Sequence, residues 1–356
     1  MIIRENVPLA PYTTLGVGGP ARFFAEAASE GEVRAALDWA AARGLAAFIL
    51  GGGSNLVVAD EGFAGLVVRV AIKGVTARDG GNEGGNEGGA AVIVTAGAGE
   101  DWDELVAACV GRGLAGFECL SGIPGLVGGT PVQNVGAYGQ EVSETVVGVR
   151  AYDRAGGRVV ELGREECGFG YRASIFNTSA RDRYVVLEVS YALVAGGRPA
   201  LRYADLERYF GGRAGEPSLA EVRAAVREIR ARKSMLLVPG DPDCRSAGSF
   251  FKNPVVAPEQ AARIDGAAGE RVPRYEAPGG MVKVPAAWLI ERAGFARGEG
   301  RGRVAISTKH TLALVNRGGA TARELLAFAG EIQERVRERF GVRLEPEPVL
   351  LGVARG

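Results

Sequence analysis

Residues 119–139 read CLSGIPGLVGGTPVQNVGAYG, and this stretch decides how the rest of the chain is interpreted. It holds six glycines and two prolines but no charged residue. Glycine weakens regular structure and proline interrupts it, so the stretch predicts neither a long helix nor a continuous strand. Because it is too apolar for a solvent loop, we expect its backbone to lie against a flat ligand. Main-chain N–H groups and the amides of Gln133 and Asn134 would then meet the ligand's polar edge. A tight multi-turn crossover between strands is the alternative interpretation.

A second glycine cluster lies earlier in the chain. Two apolar runs, residues 46–50 and 66–72, bracket the sequence GGGSN at residues 51–55. Consecutive N–H groups in such a cluster can form an anion nest for a phosphate, although a glycine-rich hairpin is the alternative. The tandem repeat GGNEGGNEGG at residues 80–89 has no core-forming residue, which predicts a mobile hairpin tip without function.

Composition restricts the class of protein. A chain of 356 residues is long enough for two or three domains, and its apolar (47%) and charged (24%) fractions are those of a globular protein. The formal net charge is zero, so we expect no nucleic-acid partner. No apolar run reaches transmembrane length and the N-terminus lacks a signal-peptide core, so we expect no membrane insertion. Four cysteines without a CxxC pair favour reduced thiols in the cytoplasm over a disulfide or zinc framework.

The chain also lacks several common catalytic and cofactor motifs. Its one histidine, His310, excludes multi-histidine metal sites, and we expect no metal. The surrounding residues 307–316 read as a strand, in which His310 has a structural role. There is no phosphate-binding GxxxxGK[ST] motif, and Gly97-Ala98-Gly99 lacks the third glycine of a dinucleotide-binding fingerprint. Any nucleotide cofactor must therefore be held by a different fold.

Three helix starts can be read directly. Ser-x-x-Glu or Thr-x-x-Glu capping boxes begin at Ser29, Ser218 and Thr321, and Gly341 stops the helix that follows the third box. That last helix is amphipathic, with Leu325, Phe328, Ile332, Val336 and Phe340 predicted to face inward. Strands and helices alternate along the chain without a regular βα repeat, so we predict an α+β fold.

Six motifs together resemble one known family, UDP-N-acetylenolpyruvoylglucosamine reductase (MurB). The resemblance runs from about residue 6 to residue 353, with the motifs in the family's order. The glycine stretch at 119–139 and the sequence AGSFFKNP at 247–254 are the most specific of the six. The others are TTLGVGG at 13–19, GGGSN at 51–55, YRAS at 171–174 and LEPE at 344–347.

The resemblance implies a fold and a domain division. The expected fold is a two-subdomain FAD-binding fold of the vanillyl-alcohol-oxidase type with a C-terminal α+β substrate-binding domain. We place FAD-binding subdomain 1 at residues 1–70, joined by a C-terminal strand near 344–356, and subdomain 2 at 71–233. The substrate-binding domain would be 234–343. The chain departs from the family's usual pattern in the loops at 79–90, 234–245 and 266–280.

The resemblance also implies an activity. NADPH would reduce a non-covalent FAD, which would then reduce the enolpyruvyl ether of UDP-N-acetylglucosamine to UDP-N-acetylmuramate, a peptidoglycan precursor. Ser249 carries over as the proton donor and Arg172 as the cation at the substrate carboxylate or enolate. Glu347 carries over as the third catalytic residue, expected to be protonated or to hold another group in place. Without the resemblance, Ser249 would be interpreted as a cap, Arg172 as a loop arginine and Glu347 as an edge-strand charge.

Binding residues carry over in two groups. Tyr203, in the connector LRYADL, resembles the tyrosine of the subtype that closes over the substrate diphosphate. The substrate-binding group is Tyr171, Tyr203, Lys233, Lys252 and Asn253. The cofactor-binding group is Gly51, Gly52, Gly53, Ser54, Asn55, Ser121, Gly122, Ile123, Pro124, Gly125, Gly128, Asn134, Gly136 and Ala137.

Two rival functions stay open at this point. A flavin oxidase on the same fold would commonly link its flavin through His or Cys, and no histidine lies near either glycine cluster. A non-catalytic nucleotide-sugar or flavin-binding module would not need Arg172, Ser249 and Glu347 together. Apart from the nucleotide-sugar substrate and NADPH, nothing in the sequence indicates an obligate protein partner.

Overall fold

The computed structural model describes residues 1–81 and 90–353. The repeat at 80–89 falls largely outside these residues, so its interpretation as a mobile tip stays a prediction. The chain divides into two compact units, and each is discontinuous in sequence. Unit 1 comprises Met1–Val7, Ala21–Gly52 and Ala64–Arg230, and unit 2 comprises Pro8–Pro20, Gly53–Phe63 and Ala231–Gly356. The division into three domains predicted from the sequence is not tested by this partition and stays a prediction.

Helices and strands are both numerous, in agreement with the predicted α+β class. The helices are α1 (Glu30–Ala41), α2 (Trp102–Gly111), α3 (Ala204–Phe210), α4 (Leu219–Arg232), α5 (Pro258–Ala268), α6 (Ala286–Arg292) and α7 (Ala322–Phe340). The strands of the first half are β1 (Ile3–Pro8), β2 (Pro20–Ala27), β3 (Ala47–Leu50), β4 (Leu56–Val58), β5 (Phe63–Val70), β6 (Val75–Gly81), β7 (Ala91–Gly97), β8 (Leu114–Ala115), β9 (Gly136–Ala137), β10 (Gln140–Glu141), β11 (Val146–Asp153) and β12 (Arg158–Gly163). Those of the second half are β13 (Tyr184–Ala195), β14 (Val255–Val256), β15 (Tyr275–Glu276), β16 (Val282–Lys283), β17 (Gly300–Arg301), β18 (Val304–Ile306), β19 (Leu314–Asn316) and β20 (Val349–Leu351).

Unit 1 contains two sheets over one continuous core. The first has the strand order β1-β2-β5-β3, with β3 parallel to β5. The second has the order β12-β11-β13-β7-β6, with antiparallel neighbours and β8 added beside β13. Helices α1 and α2 bury their apolar faces in the same hydrophobic cluster as both sheets. Leu120 and Val127 of the glycine stretch at 119–139 belong to this core, so the core supports the stretch.

Unit 2 has small sheets around a long helix. Its strands form the sheets β14-β16-β15 and β17-β18-β19 and the parallel pair β20-β4. Helix α7 has both halves of the predicted capping box, and it ends at Gly341 with φ 64°. The five residues predicted to face inward are all buried. Asp60 adds a carboxylate at the start of α7, where its two oxygens accept the N–H groups of Ala322 (2.7 Å) and Arg323 (3.0 Å).

One strand prediction was wrong. Residues 307–316 do not form a single strand, because β18 ends at Ile306 and β19 begins only at Leu314. His310 lies in the turn between them, where its Nδ1 accepts the N–H of Leu312 at 3.1 Å. The apolar and β-branched letters of this segment suit a strand, but side-chain to backbone hydrogen bonds favour a turn. No helix in the described part of the chain is both long enough and apolar enough to span a membrane.

Candidate functional site

A buried carboxylate holds the start of the glycine stretch. Glu118 is 1% exposed, and its oxygens accept the N–H groups of Gly116 (2.9 Å) and Ala200 (2.8 Å) and the amide of Gln140 (2.8 Å). Gln140 in turn accepts the N–H of Cys119 at 2.8 Å. Since burying a carboxylate is costly unless it is bonded, this network fixes residues 116–119 in one arrangement.

Helices α2 and α4 fix the next turn. Asp103 of α2 accepts the N–H of Gly122 at 2.6 Å and also pairs with Arg223 (2.5 Å) and Arg227 of α4. Burial acts to raise the pKa of the Asp103 carboxyl, but these hydrogen bonds outweigh it, so the pKa lies below its usual value. Arg230, 7% exposed, donates through Nε to the carbonyl of Gly122 at 3.1 Å. Both polar groups of Gly122 are therefore held by charged side chains.

The two glycine clusters meet at their backbones in unit 1. A Cβ atom added to Gly52 would lie 2.6 Å from the Cα of Gly125, closer than real Cβ atoms come to other atoms. Gly125 itself has φ 136°, a conformation that favours glycine. The sequence interpretation that residues 51–55 and 122–139 act on one ligand requires such proximity, and glycine at position 52 permits it.

The residues at this junction fit a flat, phosphorylated cofactor. In the part of the chain that the structure describes, the N–H groups of Gly52, Gly53 and Ser54 donate to no acceptor, and neither do those of Ile123 and Gly125. Successive N–H groups of this kind form an anion-binding concavity. A Cβ atom on Gly51 would contact nothing within 4 Å, so this side of the cluster is open. Such N–H groups suit the phosphates of a cofactor, and the cofactor-binding roles of residues 51–55 and 121–125 stay predictions.

Arg172 is held beside the end of the glycine stretch. Its guanidinium donates to the carbonyl of Gly136 at 2.8 Å, and its backbone has φ 53°. Asn177 donates to the carbonyl of Arg172 at 3.1 Å, while Asn134 donates to the carbonyl of Gly170 at 3.0 Å. The amide of Asn134 thus serves the protein's own hydrogen bonding, including a 2.7 Å bond to Glu141. Its cofactor-binding role stays a prediction.

Left-handed backbone concentrates around these segments. Six non-glycine residues with positive φ are found in the described ranges, and four lie in or next to predicted site segments: Asn134, Tyr138, Arg172 and Ser234. Such conformations are sparsely populated and persist where surrounding contacts impose them. Their distribution favours a functional role for these segments over that of plain connecting loops.

Two predicted substrate-binding tyrosines are exposed in unit 1. Tyr203 (43% exposed) precedes α3 and packs edge-on against Tyr138 of the glycine stretch, with 5.4 Å between ring centroids. Burial raises the pKa of Tyr138 to about 12, so this inner ring stays protonated at neutral pH. Tyr171 (41% exposed) lies under the guanidinium of Arg172, 5.6 Å from its ring centroid. The structure therefore places Tyr203 and Arg172 at the same glycine stretch.

Unit 2 joins the segments that carry Ser249 and Glu347. The carbonyl of Phe250, which follows Ser249, accepts the N–H of Glu347 at 2.9 Å, and Phe251 bridges to Pro346. The Asn55 amide donates to the carbonyl of Glu347 at 3.2 Å, so a residue of the predicted phosphate nest also holds this segment. The Ser249 hydroxyl, in contrast to that of Ser121, has no hydrogen-bond partner among the described residues.

The other predicted substrate-binding residues lie on neighbouring backbone. Lys252 donates its N–H to the carbonyl of Glu345 at 2.9 Å, and its ammonium lies 3.8 Å from the Glu345 carboxylate. Asn253 Oδ1 accepts the N–H of Ala286 at 2.9 Å and so caps α6. Lys233 follows α4 and is partly buried. The roles of the predicted site residues, catalytic and binding, stay predictions.

Sequence reasoning missed the residues that support the site. Glu118, Asp103 and Asp243 are buried or half-buried carboxylates that bond loops far away in sequence. Only Glu118 gave a signal in the sequence, as an acidic residue within an otherwise apolar and glycine-containing segment, and this signal is not specific.

Comparisons with known proteins agree with this arrangement. Residues 21–163 match the model of the FAD binding domain, and residues 241–351 match the model of the UDP-N-acetylenolpyruvoylglucosamine reductase C-terminal domain. The UDP-N-acetylenolpyruvoylglucosamine reductase of Thermobifida fusca is 51% identical over 98% of both chains. That of Saccharopolyspora erythraea is 50% identical, over 97% of this chain and 95% of the relative.

A solved structure gives the same result for the fold. The crystal structure of UDP-N-acetylenolpyruvylglucosamine reductase from Thermus caldophilus matches with a TM-score of 0.64 and 28% identity, covering 98% of this chain and 100% of that one. An FAD-binding domain followed by a C-terminal domain of the reductase type, as predicted from the sequence, is thereby confirmed. With its glycine clusters joined and both family models matched in order, the chain belongs to the UDP-N-acetylenolpyruvoylglucosamine reductase family.

Proposed function

We propose that this chain is an NADPH-dependent FAD enzyme that reduces the enolpyruvyl ether of UDP-N-acetylglucosamine to UDP-N-acetylmuramate. The relatives that share its full length carry the name of this reductase. The product is a precursor of peptidoglycan. NADPH and a nucleotide sugar are substrates of the cytoplasm, and we place the reaction there.

The observation that supports this most strongly is the backbone hydrogen bond that joins the segments of Ser249 and Glu347. Ser249 directly precedes Phe250, whose carbonyl accepts the N–H of Glu347, and the Ser249 hydroxyl makes no hydrogen bond with any described residue. A serine that only caps a turn would bond nearby backbone, as Ser121 does with Glu118. A hydroxyl that the described residues leave without a hydrogen bond is available to donate a proton.

The chemistry requires a proton and stabilisation of charge. When bound, FAD would supply the transfer of a hydride from the nicotinamide to the substrate alkene. Negative charge then develops on the neighbouring carbon and its carboxylate. Ser249 donates the proton to that carbon, which a weak acid such as a hydroxyl can do only toward a strongly basic carbanion or enolate. Arg172 stabilises the charge through the fork geometry of its guanidinium.

Glu347 has a supporting role in this scheme. A full negative charge beside an enolate would be unfavourable, so Glu347 acts either in its protonated form or by orienting another group. Its main chain is fixed at both ends, by the Phe250 carbonyl and by the Asn55 amide. That double attachment limits how far the carboxyl group can move.

Binding falls to the remaining predicted residues. We assign the FAD diphosphate to the N–H groups of residues 52–54, which donate to no acceptor among the described residues, and the flavin ring to the turn at 123–125. Tyr203 binds the substrate diphosphate through its hydroxyl, while its ring rests on Tyr138. Lys233, Lys252 and Asn253 complete the substrate site.

Rapid mixing tests the proposal in two steps. The FAD-loaded protein is mixed anaerobically with NADPH, and flavin absorbance should bleach; addition of the enolpyruvyl nucleotide sugar should restore it. In Ser249→Ala, bleaching should be unchanged and recovery should slow by about 10²- to 10⁴-fold, the usual range for a positioned general acid. Equal slowing of both steps, or of neither, would show that Ser249 is not the proton donor.

The oxidase alternative is tested separately. Acid precipitation should release intact FAD into the supernatant, because the flavin is held without a covalent bond. Flavin retained on the denatured chain would favour a covalent oxidase instead.

A further inference from the structure

The segment that leads to Ser249 is organised around one buried carboxylate. Residues 234–248 connect Lys233, at the end of α4, to Ser249, and they form no helix or strand. Asp243, in the middle of this segment, is fully buried. A buried charge in an irregular loop is costly unless every partner is in place, so its contacts indicate what the loop is built to hold.

One oxygen of Asp243 is bonded to the turn between β18 and β19, and the other lies beside Arg317, just after β19. Oδ2 accepts the hydroxyl of Ser307 at 2.8 Å, together with the N–H (2.8 Å) and the hydroxyl (2.7 Å) of Thr308. Oδ1 lies 3.0 Å from a guanidinium nitrogen of Arg317. Burial acts to raise the pKa of this carboxyl, but the donors and Arg317 outweigh it and keep the pKa below its usual value. Asp243 is therefore an ionised anchor.

The same contacts reach both ends of the segment. At the Lys233 end, Ser307 Oγ lies 2.8 Å from the hydroxyl of Ser234, whose backbone is left-handed with φ 55°. At the Ser249 end, the Ser246 hydroxyl lies 3.5 Å from the carbonyl of Ser234 and accepts the N–H of Gly248 at 3.3 Å.

Backbone bonds to β19 and the preceding turn complete the hold on the end of the segment. Asn316 donates its N–H to the carbonyl of Arg245 (3.0 Å), and Phe250 donates to the carbonyl of Leu312 (2.8 Å). Asp243 therefore fixes the turn between β18 and β19. That turn and β19 then hold the residues on both sides of Ser249. The hydroxyl of Ser249 itself makes no hydrogen bond with any residue in 1–81 or 90–353, so its direction depends on this backbone.

We propose that Asp243 is a positioning residue for Ser249. It acts through the Ser307–Thr308 turn to place the proton donor, and it touches neither substrate nor cofactor. The inference rests on the proposed function, in which Ser249 supplies the proton. A misplacement of about 1 Å is enough to slow a positioned reaction about 10²-fold, so loosening this anchor should be visible in the protonation step.

The test compares Asp243→Asn and Thr308→Val with a matched control. Thr308→Val removes one hydroxyl donor and leaves the carboxylate and Arg317 in place, so it covers the case in which Asp243→Asn does not fold. The control is Asp60→Asn. Asp60 is another carboxylate of unit 2 that accepts backbone N–H groups, two in its case. In the described part of the chain it makes no hydrogen bond to residues 234–248. All three variants are prepared with FAD bound.

Two measurements are expected to separate positioning from general stability. At saturating enolpyruvyl substrate, flavin re-oxidation should slow about 10- to 100-fold in Asp243→Asn and to a smaller extent in Thr308→Val. NADPH bleaching should stay within about twofold, and Asp60→Asn should leave both steps unchanged. Hydrogen–deuterium exchange of residues 244–250 should become faster in both anchor variants and not in Asp60→Asn.

The double variant Ser249→Ala/Asp243→Asn distinguishes this inference from the proposed function. If Asp243 acts through Ser249, the double variant should re-oxidise no more slowly than Ser249→Ala alone. Multiplied effects, or equal slowing of bleaching, would overturn the positioning role while the reductase reaction itself stands. A wild-type protein that bleaches but is not re-oxidised by the substrate would overturn the proposed function instead.

Discussion

Replacing Gly52 by alanine tests whether the two glycine clusters must touch. The added Cβ would lie 2.6 Å from the Cα of Gly125, 3.0 Å from its carbonyl carbon and 3.1 Å from the nitrogen of Leu126. All three are backbone atoms, so no side-chain rotation can relieve the overlap. Restoring an ordinary contact of 3.4 Å from 2.6 Å requires the two segments to separate by about 0.8 Å.

The neighbouring glycine supplies the control. A Cβ on Gly51 meets nothing within 4 Å, and Gly51 does not have a positive φ. Both substitutions restrict the unfolded chain equally, which stabilises the folded state by about 0.4–1 kcal/mol. Only Gly52→Ala adds overpacking, which costs about 1–3 kcal/mol. Without cofactor, Gly52→Ala should therefore be about 1–3 kcal/mol less stable than Gly51→Ala.

Denaturant unfolding of the FAD-free variants measures this difference. For a unit of about 200 residues, this difference in unfolding free energy corresponds to a melting temperature of Gly52→Ala that is about 2–10 °C below that of Gly51→Ala. FAD titration of the same samples adds a second readout, because Gly51→Ala places its methyl group on the open side of the cluster and should weaken FAD binding without lowering stability. Equal stabilities of the two variants would refute the close approach of residues 52 and 125.

Three further outcomes are expected. Tyr203→Phe should weaken substrate binding about 10- to 100-fold, because it removes a charged hydrogen bond worth about 1.5–3 kcal/mol. Flavin reduction by NADPH should not slow. An unchanged substrate affinity in direct titration would reject the contact of Tyr203 with the diphosphate. Glu118→Ala should lower the free energy of unfolding by at least about 3 kcal/mol, because three buried donors lose their acceptor. A loss below about 1 kcal/mol would show that these donors find other acceptors. The hydrogen bond from Arg183 lowers the pKa of Asp153 to about 2 in the folded protein. In the unfolded chain the pKa is about 4, so the pair contributes its full stability above that pH and loses it as the pH falls toward 2. Asp153→Asn should flatten the pH dependence of the unfolding free energy across that interval, and an unaltered slope would contradict the assignment.

Local signals in the sequence were reliable. The start of α7 at Thr321 and its end at Gly341 depend on hydrogen bonds within four residues, so the motif itself contains the physics. The composition of the glycine stretch also predicted correctly that it forms neither a long helix nor a continuous strand, while its role in binding a ligand stays a prediction. Even so, the composition could not indicate that Gly52 would be the residue that packs on Gly125.

Long-range polar contacts were not predictable in this way. Asp243 bonds a turn 64 and 65 residues away, and Asp103 bonds arginines 120 and 124 residues away. An isolated acidic residue carries no information about such partners. The turn at His310 was mistaken for a strand for a related reason, because residue propensities do not register the hydrogen bond from Leu312 that favours the turn.

The discontinuity of unit 2 has a consequence for how the chain is made. Residues 8–20 and 53–63 leave the ribosome early, but the strand that pairs with β4 is β20, near the other end of the chain. The Asn316 amide that donates to the carbonyl of Leu15 arrives 301 residues later. Contacts this distant in sequence form slowly, so the early segments must wait until Asn316 and the residues of β20 have been synthesised. No single cut in the chain can release unit 2 intact, and expressing it alone would require a rearranged gene that joins its three pieces with new linkers.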